Sequence, residues 1–165
     1  MRYFFFLLLV ININAFTLNS LDLNKTFKQE NAFNLYNCKG KNISPQLYWT
    51  NPPKNTKSFA LTIYDIDAPY GWWHWIVINI PANIKKLKTN ASLHHMPKGA
   101  IELKNSYNTL GYGGPCPPLK DKAHKYIFTI YALNIKKLDP KNKNIIKKIK
   151  KHTIQTASFI AFYKR

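Results

Sequence analysis

Residues 126–133 read YIFTIYAL, and this segment does most to decide the fold class. It is a nearly continuous run of aromatic and β-branched residues, which predicts a β-strand buried on both faces. Residues 59–64 (FALTIY), within the stretch 56–67, and residues 75–80 (WIVINI), which Pro81 ends, have the same character. Three such strands joined by turn-rich segments predict a mainly β protein, as at the centre of a sandwich.

The C-terminal part adds one helix to this pattern. Within residues 140–151, isoleucines recur at helical spacing with lysines between them, which predicts a short amphipathic helix with a basic, solvated face. A helix that lies on a membrane surface is the alternative. Residues 153–163 return to a strand-like pattern, so the predicted order is strands, one helix and a final strand.

Length and composition indicate one folded domain. The chain has 165 residues, of which 45% are hydrophobic and 19% charged, and these proportions exclude a disordered chain. The formal net charge is +18, but only two of the 25 cationic residues are arginine, the residue best suited to guanine and phosphate. Lys, Asn and Ile, all with A/T-rich codons, supply over a third of the chain. A dedicated nucleic-acid function is therefore not expected, whereas weak contact with anionic membranes remains open.

The N-terminus resembles an export signal. A positive start, Met1 and Arg2, precedes an apolar run over residues 3–13, which is too short to span a bilayer. The small residue Ala15 suits the position before a signal-peptide cleavage site. Residues 1–15 are therefore predicted to be a signal peptide that directs export to the periplasm or the exterior. A buried first strand is the alternative. Residues 16–36 then form an N-terminal segment of the mature chain.

The two cysteines, Cys38 and Cys116, leave two alternatives open. An exported protein with an even cysteine count permits one disulfide. The other alternative is two separate, small buried residues. The sequence contains no CxxC or HxxxH spacing, so no metal site is predicted.

Three segments carry residues suited to chemistry, and the first contains two of the seven acidic residues. Asp65 and Asp67 lie two apart where the first strand ends. Since side chains at i and i+2 of a strand point the same way, both carboxylates are expected to face one site. The alternative is a solvated strand end with turn-forming aspartates.

The second segment is GWWHW, residues 71–75, in which indole rings flank His74. A histidine held against indoles is partly desolvated and fixed in orientation. Trp73 and Trp75 are expected to form an apolar wall, although one of them would serve equally well in the core. Alternatively, His74 is a core residue whose ring is hydrogen-bonded within an aromatic cluster.

The third segment is GYGGPCPP, residues 111–118. Its glycines permit positive φ and its prolines stiffen the loop. The backbone N–H groups of Gly113, Gly114 and Cys116 are expected to form an anion-binding nest, with Cys116 at its rim. A rigid structural loop is the alternative. His124 and Tyr126 follow at a strand start and face the same way.

In this order, the three segments closely resemble the phosphatidylethanolamine-binding protein family, in particular its bacterial Raf-kinase-inhibitor-like branch. The segment CKGKNISP, residues 38–45, is similar to that branch's entry motif, and the resemblance defines a domain over residues 37–165. It implies a sandwich of two antiparallel sheets with a small anion pocket, and it implies neither a cofactor nor general enzymatic turnover. The residues that match the family's pocket are Asp65, Asp67, Ala68, Pro69, His74, Gly114, Pro118, His124 and Tyr126.

Some positions depart from the family pattern. Ile66 replaces a common proline, the turn over residues 69–72 is two residues shorter than usual, and Lys125 replaces an arginine. The first two changes affect the pocket rim and the size of ligand. None removes a pocket residue.

The expected function is non-enzymatic binding of small anionic or phosphorylated ligands. Because a carboxylate cannot bind phosphate directly, Asp65 or Asp67 is expected to accept from a histidine ring and favour the imidazolium, whose other nitrogen donates to the anion. Affinity should then weaken as the pH rises through the histidine titration. Alternatives are a secreted protein that recognises a phosphorylated protein, and a hydrolase with Asp and His as acid and base. A homodimer is left open.

Overall fold

The computed structural model describes residues 15–165, so the predicted signal peptide lies outside the described residues except for Ala15. The described part contains eight strands, one α-helix and one 3-10 helix. In chain order the elements are β1 Thr17–Asn19, the 3-10 helix Gln29–Asn31, β2 Leu47–Thr50, β3 Ser58–Asp65, β4 Trp72–Pro81, β5 Lys86–Leu87, β6 Ile101–Glu102, β7 His124–Leu133, α1 Ile145–Lys151 and β8 Thr153–Tyr163.

The strands form two antiparallel sheets, which confirms the predicted mainly β fold. One sheet has five strands in the order β6-β4-β3-β7-β8, and the other has three in the order β1-β2-β5. Strand β3 is central in the larger sheet, and seven of its eight residues are buried. The main core lies around side chains such as Trp49, Phe59 and Phe128, all at most 1% exposed. Burial of β3 on both faces agrees with its continuous apolar run.

Helix α1 covers a second, smaller apolar cluster. Ile149 is 1% exposed and packs in a cluster with Ile78 and Leu133, while Ile145 and Ile146 are half-buried against it. The apolar side of the helix is therefore used against the sheet. The helix begins at Ile145, later than the predicted start at residue 140. None of the helices within residues 15–165 is long and apolar enough to cross a membrane.

The segment 16–36 contributes to the same core as the rest of the chain. Strand β1 pairs with β2, and Phe16, Leu18 and Phe27 are each buried in the main cluster. Phe27 also packs edge-on against Tyr126, with ring centroids 5.1 Å apart. The folded unit thus begins well before residue 37.

A β-bulge interrupts β4 at His74. Ile63 lies opposite Trp75, and Tyr64 lies opposite Trp73, so His74 is the extra residue between two consecutive pairs. The bulge places Trp73 and Trp75 on opposite faces. Trp75 is fully buried in the main core, whereas Trp73 packs against Tyr64 with ring centroids 4.3 Å apart. Trp75 thus takes the core position that the sequence left open for one of the two indoles, and the expected wall of both is not formed.

Candidate functional site

A cavity of about 370 Å³ lies where β3, β4 and β7 meet two loops. The register explains why these strands meet there, because Asp65 at the end of β3 lies opposite Trp72 of β4 and opposite Tyr126 of β7. Cys116 is at the rim, as predicted. The predicted residues that line the cavity are Asp65, Ala68, Pro69, His74, Pro118 and His124.

Asp65 is buried and uses its carboxylate within the protein. Its Oδ2 accepts from Nδ1 of His124 at 2.8 Å. Its Oδ1 accepts from the backbone N–H groups of Asp67 at 2.9 Å and Ala68 at 3.2 Å. The hydrogen bond between a carboxylate and a histidine ring, which the sequence led us to expect, is therefore present, and Asp65 orients His124 rather than offering a free oxygen to the cavity.

His124 lies between two carboxylates. Besides the bond to Asp65, its Nε2 lies 3.2 Å from Oδ2 of Asp121, whose side chain is 44% exposed. Burial alone would lower the pKa of His124, but the hydrogen bonds and charges of Asp65 and Asp121 raise it above 6.5. The site therefore favours the imidazolium at His124. Within residues 15–165, no group of three or more acidic, His or Cys side chains is arranged to hold a metal ion.

His74 has the opposite environment. It is 2% exposed, and its Nδ1 donates to the carbonyl of Gly113 at 2.6 Å. Its ring lies between Tyr107 and Tyr126, with centroids 5.7 and 5.1 Å away. Burial lowers the pKa of His74 to about 4, which outweighs the favourable effects of the Gly113 carbonyl and Asp65. The expected pair of protonated donors is thus reduced to one, because a charge on His74 would be desolvated.

Asp67 does not line the cavity. Its Oδ2 accepts from the backbone N–H of Lys125 at 2.8 Å, and its Oδ1 lies 3.2 Å from Nζ of Lys122. The expectation that both carboxylates face one site is wrong. Strand β3 ends at Asp65, which caps a turn with its own side chain, so the strand alternation does not reach Asp67.

Two amides of the predicted nest are used elsewhere. The N–H of Gly113 donates to the carbonyl of His74 at 2.8 Å, and the N–H of Gly114 donates to Oδ1 of Asn42 at 2.7 Å. Gly114 does not line the cavity, and a Cβ there would collide with the backbone carbonyl of Asn31. Glycine is required for this close approach. The loop is therefore a rigid structural element at these two positions, which was the alternative interpretation.

Tyr126 lies beneath the cavity wall rather than in it. Its ring is fully buried behind His74, and its hydroxyl has no hydrogen-bond partner among residues 15–165. Burial raises the pKa of this hydroxyl, and the nearby charge of Asp65 adds to the effect. The predicted donor to an anion is therefore not at the surface of the cavity.

Sequence reasoning missed the loop-borne side of the cavity. Tyr107 stacks on Phe33 with centroids 4.1 Å apart, and Trp72 packs edge-on to Tyr107 at 5.2 Å. Trp72 and Pro117 were within quoted motifs but were given no role there. The other missed residues lie in loops with no local motif. The missed lining residues are Tyr36, Trp72, Ser106, Tyr107, Asn108 and Pro117.

A disulfide joins two segments at the rim. Cys38 and Cys116 are bonded, with their Cα atoms 5.7 Å apart across 78 positions of sequence, so the disulfide alternative is the one observed. Nη1 of Arg165 donates to Sγ of Cys38 at 3.0 Å and to the carbonyl of Tyr36 at 3.2 Å. Tyr36 and Cys116 both line the cavity, so the bridge fixes one side of its opening.

Comparison with known proteins places these features in a family. The model of the family described as phosphatidylethanolamine-binding protein matches residues 23–164. The UPF0098 protein YbcL of Escherichia coli (strain K12) is 41% identical over 127 residues, which cover 74% of this chain and 69% of that protein. The UPF0098 protein YbhB of the same strain is 44% identical over 112 residues, 66% of this chain and 70% of that protein. The crystal structure of E. coli YbcL, a new member of the mammalian PEBP family, superposes with a TM-score of 0.87 at 35% identity, covering 91% of this chain and 98% of the other.

Proposed function

Because this chain belongs to the phosphatidylethanolamine-binding protein family, we propose that it binds small anionic or phosphorylated ligands in the cavity without chemical turnover. The observation that carries the proposal is the position of His124, which is buried, lines a largely apolar cavity and is hydrogen-bonded through Nδ1 to the carboxylate of Asp65. This carboxylate raises the pKa of His124 and so favours the imidazolium. The bond of His124 to the half-exposed Asp121 is long, so an entering anion can replace that carboxylate as the acceptor at Nε2.

Two further polar groups of the lining can donate to an anion. Ser106 Oγ accepts from the N–H of Trp73 at 2.9 Å, which leaves its own hydrogen free to donate. Oδ1 of Asn108 accepts from Nζ of Lys104 at 3.1 Å, so the amide N–H groups of Asn108 are left to donate to an anion. The aromatic side chains around them suit an organic substituent, and the cavity volume falls in the range of small-ligand sites. The net charge of +18 steers anions toward the protein.

The absence of turnover is proposed because no free thiol lines the cavity among residues 15–165. Both oxygens of Asp65 already accept hydrogen bonds, and His74 donates its Nδ1 proton to a carbonyl. Both cysteines are bonded to each other, so neither is a thiol nucleophile. Asp65 accepts three hydrogen bonds of the roughly four that a carboxylate can accept, and Nε2 of His74 keeps a lone pair, so the proposal depends on the missing thiol nucleophile and not on a missing base.

Titration calorimetry with inorganic phosphate and phenyl phosphate tests binding. His124→Asn keeps an N–H donor toward Asp65 and removes the charged Nε2 donor. Loss of one charge-assisted hydrogen bond should weaken binding about 10–100-fold. His94→Asn, on an exposed histidine, is the matched control and should bind as the wild type does. No binding by the wild type, or equal binding by His124→Asn, would contradict the proposal.

A second assay tests the absence of turnover. The protein is incubated with 4-nitrophenyl phosphate and 4-nitrophenyl acetate, and nitrophenolate release is followed against buffer. We expect no release above background. Release that His124→Asn abolishes and His94→Asn retains would show instead that the cavity is an active site.

A further inference from the structure

The tautomer of His74 follows from its hydrogen bond. A carbonyl oxygen can only accept, so the 2.6 Å contact with Gly113 requires the proton to be on Nδ1. His74 lines the cavity, and its Nε2 is the ring nitrogen that remains for a ligand. In a neutral ring that nitrogen carries a lone pair and accepts a hydrogen bond instead of donating one.

The surroundings keep this ring neutral. Asp65 faces it from β3, His124 and Tyr126 from β7, and Tyr107 from the loop after β6. Asp65 is already satisfied by three donors, and His124 already carries a positive charge beside the same carboxylate. The two tyrosine rings are apolar neighbours that desolvate the imidazole. A second imidazolium here would therefore be buried with a neutral carbonyl, and not a carboxylate, as its hydrogen-bond partner.

An anion in this cavity meets two unlike nitrogens. His124 offers a charged donor, whereas His74 offers a lone pair. A fully ionised oxygen facing the lone pair is repelled, because both atoms are acceptors. An oxygen that carries a hydrogen instead donates it to Nε2.

Building on the proposed function, we propose that the cavity selects oxyanions that carry one acidic hydrogen, and that His74 is the residue that determines this specificity. The chemical class is the monoanion of phosphate or of a phosphomonoester, with one P–O–H group donating to Nε2 of His74. Sulfate and phosphodiesters, which carry no such hydrogen near neutral pH, are the disfavoured class.

The expected size of the discrimination follows from protonating His74. Sulfate can be accommodated only if the ring first takes up a proton, which costs tenfold for each pH unit above its pKa of about 4. At pH 6 this is a penalty on the order of 100-fold. A phosphomonoester brings its own proton and avoids the penalty below its second pKa, which is about 6.

Calorimetry between pH 5.0 and 7.5 tests the proposal with phenyl phosphate, an aryl difluoromethylphosphonate with a lower second pKa, and sulfate. The affinity of each phosphorus ligand should be constant below that ligand's own second pKa and fall tenfold per unit above it. The pH at which the affinity begins to fall should therefore differ between the two phosphorus ligands. Sulfate should bind on the order of 100-fold more weakly than phenyl phosphate at pH 6. Titration of His124 is common to all ligands, so only differences between ligands are interpreted.

Variants at position 74 locate the effect. His74→Asn keeps an N–H donor for the Gly113 carbonyl and removes Nε2, so phosphate and sulfate should bind within about threefold of each other. His74→Gln places an amide near the former Nε2, and its N–H can favour the fully ionised anion. His94→Asn should keep the wild-type discrimination. In the wild type, the ¹⁵N signal of Nε2 should move on addition of phenyl phosphate at pH 5.5, as expected for a nitrogen that accepts a hydrogen bond.

The outcomes separate this proposal from the one on which it rests. Two results would overturn the selection and leave anion binding intact. One is sulfate binding within threefold of phenyl phosphate at pH 6, and the other is an affinity that begins to fall at the same pH for both phosphorus ligands. Discrimination that survives in a folded His74→Asn variant overturns the role of Nε2. Should that variant not fold, the wild-type ligand series alone decides. Failure of every anion to bind overturns the proposed function itself.

Discussion

His74 and His124 belong to the two strands that flank β3, and they line one cavity with pKa values shifted in opposite directions. They are almost equally buried, at 2% and 3% exposure, and each uses Nδ1 in a short hydrogen bond. The partner of His74 is a neutral carbonyl at 2.6 Å, whereas the partner of His124 is a carboxylate at 2.8 Å. Burial lowers the pKa of both rings, and it does so more strongly at His74, while the carboxylate partners of His124 raise the pKa of that ring above its usual value.

Removing the carboxylate should have the largest effect on this difference. Asp65→Ala leaves His124 buried without its main partner and opens the turn at Asp67 and Ala68. Breaking a buried pair in this way should lower the free energy of unfolding by about 3–5 kcal/mol. The pKa of His124, followed by NMR, should fall toward that of His74. The exposed Asp139→Ala is the control for chemical denaturation, and a loss of under 1 kcal/mol in Asp65→Ala would contradict the assignment.

The two histidines should also shape the curve of unfolding free energy against pH. His74 should give it an acid limb, where stability falls as the pH drops, and His124 an alkaline limb, where stability falls as the pH rises. The unfolded chain takes up a proton at His74 near pH 6.5, but the folded chain does so only near pH 4, so stability should fall as the pH drops between these values. Over the whole interval the loss is up to about 3 kcal/mol. His124 has a raised pKa, so its contribution is present below pH 6.5 and is lost as the pH rises through the folded value.

Urea denaturation across pH 4–9 measures both limbs. We expect a maximum near pH 6.5, with His74→Asn flattening only the acid limb and His124→Asn only the alkaline limb. An acid limb that persists unchanged in His74→Asn would assign it to other groups.

A smaller effect should come from the loop that supplies the partner of His74. Asn42 bonds to the N–H of Gly114 and to the carbonyl of Tyr112, and so holds Gly113 in place. Asn42→Gly removes both bonds without a backbone penalty, since φ at this position is 56°. Stability should fall by about 1–3 kcal/mol, and the pKa of His74 should fall, because the Gly113 carbonyl that favours the protonated ring is no longer held in place. Asn90→Gly, exposed and with φ of 57°, is the matched control.

The smallest expected effect is at Tyr107. Tyr107→Phe removes the 3.2 Å hydrogen bond to the Gly114 carbonyl and keeps the stacking on Phe33. Stability should fall by about 1 kcal/mol or less, with the NMR titration of His74 unchanged. A large shift in that titration would show that the hydroxyl, and not only the Gly113 carbonyl, sets the state of the ring.

The site residues at strand ends and in the loop motifs were largely predictable from sequence, whereas the loop residues outside those motifs were not. The runs that became β3, β7 and β8 are continuous enough for length and burial to be inferred, and the last strand has the predicted bounds 153–163. Asp65 and His124 lie at strand ends, where local motifs carry positional information. Tyr36 and Tyr107 come from loops far apart in sequence and meet only through tertiary packing. The error at Asp67 arose because regular alternation stops at the end of β3, and the paired wall of Trp73 and Trp75 is prevented by the bulge at His74.

The bond between Cys38 and Cys116 closes a covalent ring around 78 positions of sequence. That ring contains His74 and Asp65, while His124 lies on the linear tail that follows it. A protease that cuts once between residues 39 and 115 therefore yields a nicked protein that stays one molecule until it is reduced. A cut at the exposed Lys120, by contrast, divides the covalent chain between the two histidines, which are then held together by noncovalent contacts alone, among them the pairing of β3 with β7.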